Sequence, residues 1–171
     1  MDDVHLRPII EADLADLRLF VTDPEVASDF QWSGFKDPEA DRRRWEEDGY
    51  LGGDYNRLAV ERTGGAFAGI VSWRDRSSGP AKGTCYEFGI TLWPEHRGQG
   101  LGTAAQRLLV EHLFYTTPVH RLEAFTDVDN VAEQRTLEKI GCHREGVMRE
   151  VYFRAGRWRD SVVYSLLREP G

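Results

Sequence analysis

A short basic, glycine-rich stretch is the part of this 171-residue sequence that most clearly indicates chemistry. An apolar segment ends at Leu92 and Trp93, three glycines follow within residues 98–102, and apolar residues then recur at the helical period. A loop at a helix N-terminus presents unpaired N–H groups and the positive end of the helix dipole to an anion. Glycines allow a ligand close to the backbone, and Arg97 adds a fork of donors suited to phosphate. We therefore predict a phosphate-binding loop, with a diphosphate as its natural ligand.

Two other nucleotide-binding motifs fit this stretch less well. A P-loop requires G-x-x-x-x-G-K-[ST], and no lysine follows these glycines. Residues 100–105 do fit the Rossmann pattern G-x-G-x-x-[GA], with Glu123 about 20 residues further on. However, a Rossmann strand normally runs directly into its first glycine, whereas residues 94–99 intervene here. The chain after residue 100 is also short for a second mononucleotide-binding half, so the dinucleotide hypothesis is disfavoured.

The loop resembles the Q/R-x-x-G-x-G/A signature of the GNAT superfamily of acyl-CoA N-acyltransferases, which holds the pyrophosphate of coenzyme A. Arg97, Gly100 and Gly102 occupy its fixed positions. Further matches follow in order at residues 120–124, 130, 137–142, 144–147 and 164–168. This series resembles the RimJ/RimL-like branch, whose best-known members acetylate N-terminal amines of ribosomal proteins. The resemblance covers residues 3–168 and implies an α+β fold, with one domain over residues 1–171 and a central mixed, mostly antiparallel sheet flanked by helices.

The resemblance also implies a cofactor and the residues that bind it. Acetyl-CoA is the expected co-substrate, and no metal is expected. The strand before the loop should pair with the pantetheine arm through its backbone, and Asn130 should contact the cofactor. Asparagine is also a good helix N-cap, and the two roles are compatible. The predicted cofactor-binding residues are Phe88, Ile90, Leu92, Arg97, Gly98, Gln99, Gly100, Leu101, Gly102, Thr103, Asn130 and Arg135.

Acyl transfer from a thioester to an amine needs a neutral amine, stabilisation of the oxyanion and a thiolate that can leave. Deprotonating a lysine amine at pH 7 costs roughly 4 to 5 kcal/mol, and an α-amine about 1 kcal/mol. Glu87 is the predicted base, because family members often place a glutamate at this point of Glu-x-Gly-x. Its alternative is a cross-strand pair with a nearby arginine or lysine. Tyr164 is a predicted proton donor, as is Tyr152, although tyrosine is also common in strands for packing.

Two positions depart from the family pattern. Many GNAT enzymes carry a tyrosine in the helix after Asn130 that protonates the leaving thiolate, but Leu137 occupies the matching position. The RimJ/RimL-like branch commonly has a serine three residues after the asparagine, where this chain has Glu133. A carboxylate there would repel a developing thiolate unless it is protonated or turned away. Either the thiolate leaves without a donor, which its pKa near 8.5 permits, or catalysis differs from that of the family.

Other residues offer alternative chemistry or packing. The five histidines are scattered without the spacing of metal ligands. Cys85 is an alternative nucleophile for a ping-pong route, but a buried strand thiol is the commoner situation. The aromatic side chains of Trp32, Phe35 and Trp45 either line an acceptor pocket or pack in the core.

Composition bounds the class of protein. The length suits one domain with one core, and two cysteines do not make a disulfide framework. No apolar run approaches the ~20 residues of a membrane span, and the acidic N-terminus lacks a signal-peptide core. The net charge of −7 argues against general nucleic-acid binding. We expect a cytoplasmic protein without nucleic-acid or membrane partners, and the resemblance allows a homodimer.

The hydrophobic pattern predicts the elements that position these residues. Strands are expected at residues 4–7, 57–61, 67–73, 85–92 and 122–126, with two long strands within 142–168. Helices are expected at residues 11–20, within 25–50, after the glycine-rich loop, and at 131–140 with Gly141 as the stop. Residues 77–83 should form a loop.

Together these features predict an acetyl-CoA-dependent N-acetyltransferase in which a primary amine attacks directly in a ternary complex. The acceptor stays open between a protein N-terminus, a small amine such as an antibiotic or polyamine, and a lysine side chain. The alternative is a catalytically silent acyl-CoA-binding sensor or regulatory subunit, which Leu137 and Glu133 motivate.

Overall fold

A computed structural model describes residues 4–77 and 83–169. Seven strands form one sheet in the order β1-β2-β3-β4-β5-β7-β6, and every neighbouring pair except β4 and β5 is antiparallel. The strands are β1 (Val4–Arg7), β2 (Tyr55–Arg62), β3 (Phe67–Asp75), β4 (Cys85–Leu92), β5 (Arg121–Asp127), β6 (His143–Arg154) and β7 (Arg157–Leu167). The helices are α1 (Leu14–Thr22), α2 (Ala40–Asp48), α3 (Leu101–Thr116) and α4 (Val131–Lys139). This architecture confirms the predicted α+β fold with a mixed, mostly antiparallel sheet.

The largest difference from the predicted elements lies in residues 25–50. Only Ala40–Asp48 forms a helix there, and the preceding residues form turns. The carboxylates of Asp23 and Asp37 each accept a hydrogen bond from the backbone N–H two residues on, at 2.9 Å. Such local bonds compete with a helix, and Pro24 and Pro38 supply no N–H for one. Of the loop predicted at residues 77–83, residues 78–82 lie outside the described part of the chain.

The sheet has an apolar layer on each face. The larger layer lies between the sheet and helices α3 and α4, and includes Val71, Trp73 and Phe88. The smaller layer lies on the opposite face with α1, and includes Ala59 and Ile70. Because successive side chains of a strand point to opposite faces, these layers assign a face to every residue of β4 and to residues 70–75 of β3, beyond the register shift near Gly69. Within the described ranges, no helix is both long and apolar enough to cross a membrane.

Strands β4 and β5 pair in parallel only at their beginnings. The pairing joins Cys85–Glu87 to residues 121–123, and the described chain shows no ladder between their later parts. The N–H of Trp93 donates to the carbonyl of Ala68 on β3, and the carbonyl of Cys85 accepts from Arg76. In an antiparallel strand the N–H and C=O of one residue point to the same side. The N–H and C=O groups of the odd-numbered residues of β4 therefore point towards β3. The peptide groups of residues 88, 90 and 92 therefore face the gap between β4 and β5.

Candidate functional site

A cleft of about 1500 Å³ follows the gap between β4 and β5. One wall consists of β4 and the start of α3, and the other of β5 and α4. Side chains from both faces of the sheet line the cleft. Phe88 and Glu133 of α4 lie on the face of the larger apolar layer, and Glu87 lies on the opposite face. Residues 24–31 and part of β6 close the cleft on the side of Glu87. The gap thus connects the two faces of the sheet.

Ten of the twelve predicted cofactor-binding residues line this cleft. They are Phe88, Ile90, Leu92, Arg97, Gly98, Gly100, Gly102, Thr103, Asn130 and Arg135. Gln99 and Leu101 lie outside its lining. The side chain of Gln99 is exposed and donates to the carbonyl of Glu95 at 2.6 Å, and that of Leu101 is buried in the core. The cofactor roles of Gln99 and Leu101 stay predictions.

The glycine-rich loop has the conformation that its sequence predicts. Gly98 and Gly100 have φ of +72° and +80°, in the left-handed region that favours glycine, and Gly100 is the N-cap of α3. A Cβ on Gly102 would lie 3.6 Å from Leu92 Cδ1 and 3.9 Å from Ile90 Cδ1. These are ordinary van der Waals distances, and they place the first turn of α3, with its unpaired N–H groups, beside β4.

The guanidinium of Arg97 is held in place by two backbone carbonyls. Its Nε donates to Leu92 at 2.9 Å and its Nη2 donates to Val26 at 2.7 Å. The third nitrogen, Nη1, makes no hydrogen bond to the described residues, and Arg97 lines the cleft. Burial lowers the pKa of Arg97, yet arginine stays charged at neutral pH. The result is an oriented positive charge beside the N-terminus of α3.

Asn130 caps α4, as predicted. Its Oδ1 accepts from the N–H of Glu133 at 3.3 Å, and it also lines the cleft. The far end of α4 is closed by Gly141 at φ +95°, as the sequence predicts. Leu137, in the middle of the helix, is fully buried in the core and contributes no polar group to the cleft.

Glu87 lies on the face of the sheet opposite α3 and α4. Arg74 is its direct partner across β3 and β4, with Nη2 to Oε1 at 2.8 Å and Nε to Oε2 at 3.1 Å. Arg76 lies 3.5 Å from the same carboxylate. The cross-strand pair given as the alternative is thus present, and the role of Glu87 as a base stays a prediction. Gly89, the next residue on this face, has no side chain and also lines the cleft.

Two tyrosines predicted as proton donors are engaged elsewhere. Tyr164 is fully buried, lies outside the cleft lining, and donates to Glu138 at 3.1 Å. Its position does not support the predicted catalytic role. Burial and this hydrogen bond raise the pKa of Tyr164. Tyr152 lines the cleft, but burial and its 2.6 Å hydrogen bond to Asp127 raise its pKa to about 12.

Asp127, which no sequence motif indicates, organises the end of β5. Its side chain is 1% exposed, accepts from Tyr152, and forms ion pairs with Arg154 and Arg159. Burial alone would raise the pKa of Asp127, but the hydrogen bonds from Tyr152, Arg159 and the backbone and the charge of Arg154 lower it to about 2. Arg154 also donates to the carbonyl of Phe30 at 3.0 Å. The network therefore anchors residues 24–31 to the sheet.

Gln31 is a second residue of the cleft that sequence reasoning missed. Its Nε2 donates to the carbonyl of Ile90 at 3.1 Å and to Oγ1 of Thr91 at 2.7 Å. This carbonyl belongs to the open edge of β4, so Gln31 covers part of that edge. The contact joins residues 59 apart in the chain, and no local motif indicates it.

Three aromatic residues proposed for an acceptor pocket lie outside the cleft lining. Trp45 packs in the smaller core layer and donates to the carbonyl of Ile9 at 2.9 Å. Trp32 and Phe35 form an edge-to-face pair, and Phe35 is 80% exposed. The core alternative is confirmed for Trp45. Phe30 and Tyr55 line the cleft instead.

Cys85 and the side-chain types that bind metals are the remaining candidates for chemistry. Cys85 lies outside the cleft lining, and burial raises the pKa of its thiol, which opposes a role as nucleophile. Residues 4–77 and 83–169 contain no group of three or more His, Cys, Asp or Glu placed to hold a metal ion.

Fold and site together define a class of protein. An anion cradle at a helix N-terminus adjoins an open strand edge, so the cleft suits an extended ligand that carries a phosphate at one end. The chain belongs to the acetyltransferase (GNAT) domain family, whose model matches residues 3–143.

Relatives and solved structures agree with this assignment. The chain is 38% identical over 80 residues to the provisionally named N-acetyltransferase YjcK of Bacillus subtilis, covering 47% of this chain and 44% of that protein. It is 30% identical over 104 residues to YdaF of the same organism, provisionally named a ribosomal N-acetyltransferase, covering 61% and 55%. These matches span about half the length of the curated relatives. Spermidine N-acetyltransferase from Vibrio cholerae, solved with CoA and spermine, has the same fold, with a TM-score of 0.85 at 18% identity over 98% of this chain and 96% of that one.

Proposed function

We propose that this protein is an acetyl-CoA-dependent N-acetyltransferase that acts on a primary amine in a ternary complex. The observation that carries the proposal is the open edge of β4 beside the glycine-rich loop. Peptide groups of Phe88, Ile90 and Leu92 face the gap, and the first turn of α3 with Arg97 lies at its end. An amide-bearing arm that ends in a diphosphate matches both features.

In this proposal, one part of the cleft binds the cofactor and another part carries out proton transfer. The loop at residues 97–103, with Asn130 and Arg135, would hold the phosphate-bearing part of coenzyme A. Bound acetyl-CoA supplies an activated acetyl group. On the opposite face, Glu87 accepts a proton from the attacking amine, directly or through a water, while Arg74 fixes the orientation of its carboxylate.

The acceptor is a primary amine on a small molecule or at a protein N-terminus. Support comes from relatives of both kinds, since one is named for ribosomal proteins and the solved neighbour holds spermine. We further place the chain in the RimJ/RimL-like branch, on the ordered motif series and the similarity to YdaF.

The Glu87→Gln variant tests both reaction and base. We expect it to bind acetyl-CoA like the wild type and to release coenzyme A about a hundredfold more slowly with any accepted amine. The measurement is thiol release against serine- and alanine-starting peptides, lysine peptides, polyamines and aminoglycosides. Glu61→Gln is the matched control, because Glu61 also pairs with an arginine on a strand but lies outside the cleft lining.

The possible outcomes separate the proposal from its rival. Turnover in the wild type and the Glu61→Gln control, with loss in Glu87→Gln, supports the enzyme and its base. Equal turnover in all three proteins leaves Glu87 as a structural ion pair. Tight acetyl-CoA binding without turnover for any amine favours the sensor.

A further inference from the structure

A carboxyl group and a carboxamide meet on the face of the sheet opposite Glu87. Gln106 of α3 is fully buried, and its Nε2 donates to Oε1 of Glu133 at 2.9 Å. The carboxamide Oε1 of Gln106 is buried and has no hydrogen-bond partner in the described chain. An unpaired buried acceptor is costly, so this oxygen calls for a donor.

A protonated Glu133 is the donor that this geometry suits. A carboxylic acid and a carboxamide can exchange two hydrogen bonds, N–H to C=O in one direction and O–H to C=O in the other. Glu133 makes no ion pair with the described residues, and burial raises its pKa to about 6, against the opposing effect of the Gln106 N–H. About one carboxyl in ten therefore still carries its proton at pH 7.

The surroundings of Glu133 are neutral. Gln106 faces it from α3, and the buried thiol of Cys142 faces it from the segment before β6. Burial, with the charge of Glu133, raises the pKa of Cys142 to about 12, so this thiol stays protonated. On α4 itself, Arg135 and Lys139 also line the cleft but form no ion pair with Glu133.

The position of Glu133 in the cleft places its proton near the reacting groups of the proposed reaction. Glu87 and Glu133 both line the cleft, one on each face of the sheet, with the β4–β5 gap between them. Gln106 lies four residues beyond Gly102, about 6 Å along α3, away from the phosphate loop. A thioester in the gap would therefore present one side to Glu87 and the other to Glu133.

We propose that Glu133 is the general acid of the acyl-transfer reaction, which gives its proton to the departing sulfur. The inference rests on the proposed function. As the C–N bond forms and the C–S bond breaks, the amine proton passes to Glu87 and the Glu133 proton passes to sulfur. The products are an amide and a thiol, and exchange with solvent through the cleft returns both carboxyl groups to their starting states. This role resolves the conflict between a carboxylate at position 133 and a developing thiolate.

The pH dependence of the Glu133→Gln variant tests the proposal. Glutamine preserves the shape and can donate to Gln106, but has no proton to release. We expect turnover in the wild type to exceed that of the variant about tenfold near pH 5.5, and the ratio to approach one above pH 8, where Glu133 of the wild type has lost its proton and the variant has none to give. KM for acetyl-CoA should be unchanged. Glu111→Gln, an exposed position on α3, is the control.

A second measurement does not depend on turnover. The carboxyl ¹³C resonance of Glu133, assigned by its absence in Glu133→Gln, should titrate with a midpoint near pH 6, with and without coenzyme A. A wild-type-to-variant rate ratio that does not change with pH, or an ordinary midpoint, would overturn the role of Glu133 alone. If the wild type acetylates no amine, the proposed function fails instead, and the titration still decides whether Glu133 holds a proton.

Discussion

Replacing Arg97 by glutamate is expected to weaken the binding of acetyl-CoA roughly a thousandfold, or about 4 kcal/mol. The substitution removes a charged donor beside the N-terminus of α3 and places a carboxylate where a phosphate would lie. It also breaks the bonds to the carbonyls of Leu92 and Val26, which hold the guanidinium in place. Isothermal titration calorimetry with acetyl-CoA measures the effect directly.

Two further variants separate charge from orientation. Arg97→Lys keeps the charge, but one ammonium cannot reproduce the fork that contacts both carbonyls, so we expect an intermediate loss of about tenfold. Arg107→Glu makes the same charge reversal at an exposed position of α3 outside the cleft lining, and should bind normally. Unchanged affinity in Arg97→Glu would refute the phosphate cradle itself.

The sequence predicts this cradle well because its determinants are local. Glycines at positions 98 and 100 encode the left-handed turn that leads into α3, without reference to any distant residue. Strand β4 was likewise predicted at its observed bounds, Cys85–Leu92. The choice of residues 88, 90 and 92 also agrees with the direction of their peptide groups, since alternation along a strand is a local property.

The residues that close the cleft and pair with Glu87 could not be predicted from the local sequence. Gln31 reaches β4 across 59 residues, and Arg154 reaches Phe30 across 124 residues. The polar, charged pattern of residues 25–50 indicates a solvated helix equally well, so it does not show which residues close the cleft. The partner of Glu87 required the register between β3 and β4, which places Arg74 directly opposite.

For Glu133, the sequence identifies the position but not the protonation state of its carboxyl group. Three residues after Asn130, a carboxylate looks incompatible with a departing thiolate. Whether it carries a charge depends on its burial and on Gln106, which comes from another helix. Tertiary packing therefore decides whether this residue hinders the reaction or assists it.

Replacing Asp127 by asparagine is expected to lower the free energy of unfolding by about 3 to 5 kcal/mol. The side chains of Arg154 and Arg159 are only 9% and 12% exposed, and the substitution leaves both charges without their shared buried carboxylate. Urea denaturation monitored by tryptophan fluorescence measures the loss. Asp129→Asn is the control, because Asp129 also pairs with Arg159, at 2.7 Å, but is 63% exposed. An exposed pair contributes at most about 1 kcal/mol.

The same substitution should alter the pH dependence of stability and the amine site. The pKa of Asp127 is about 2 in the folded protein against an ordinary value of 3.8, so its ionised form favours folding above pH 4. This contribution, about 2 kcal/mol, is lost as the pH falls from 4 towards 2, and Asp127→Asn should lack that part of the acid dependence. Because Arg154 then holds Phe30 less firmly, KM for the amine should rise while acetyl-CoA affinity is retained. Equal destabilisation by Asp127→Asn and Asp129→Asn would contradict the buried network as the anchor of residues 24–31.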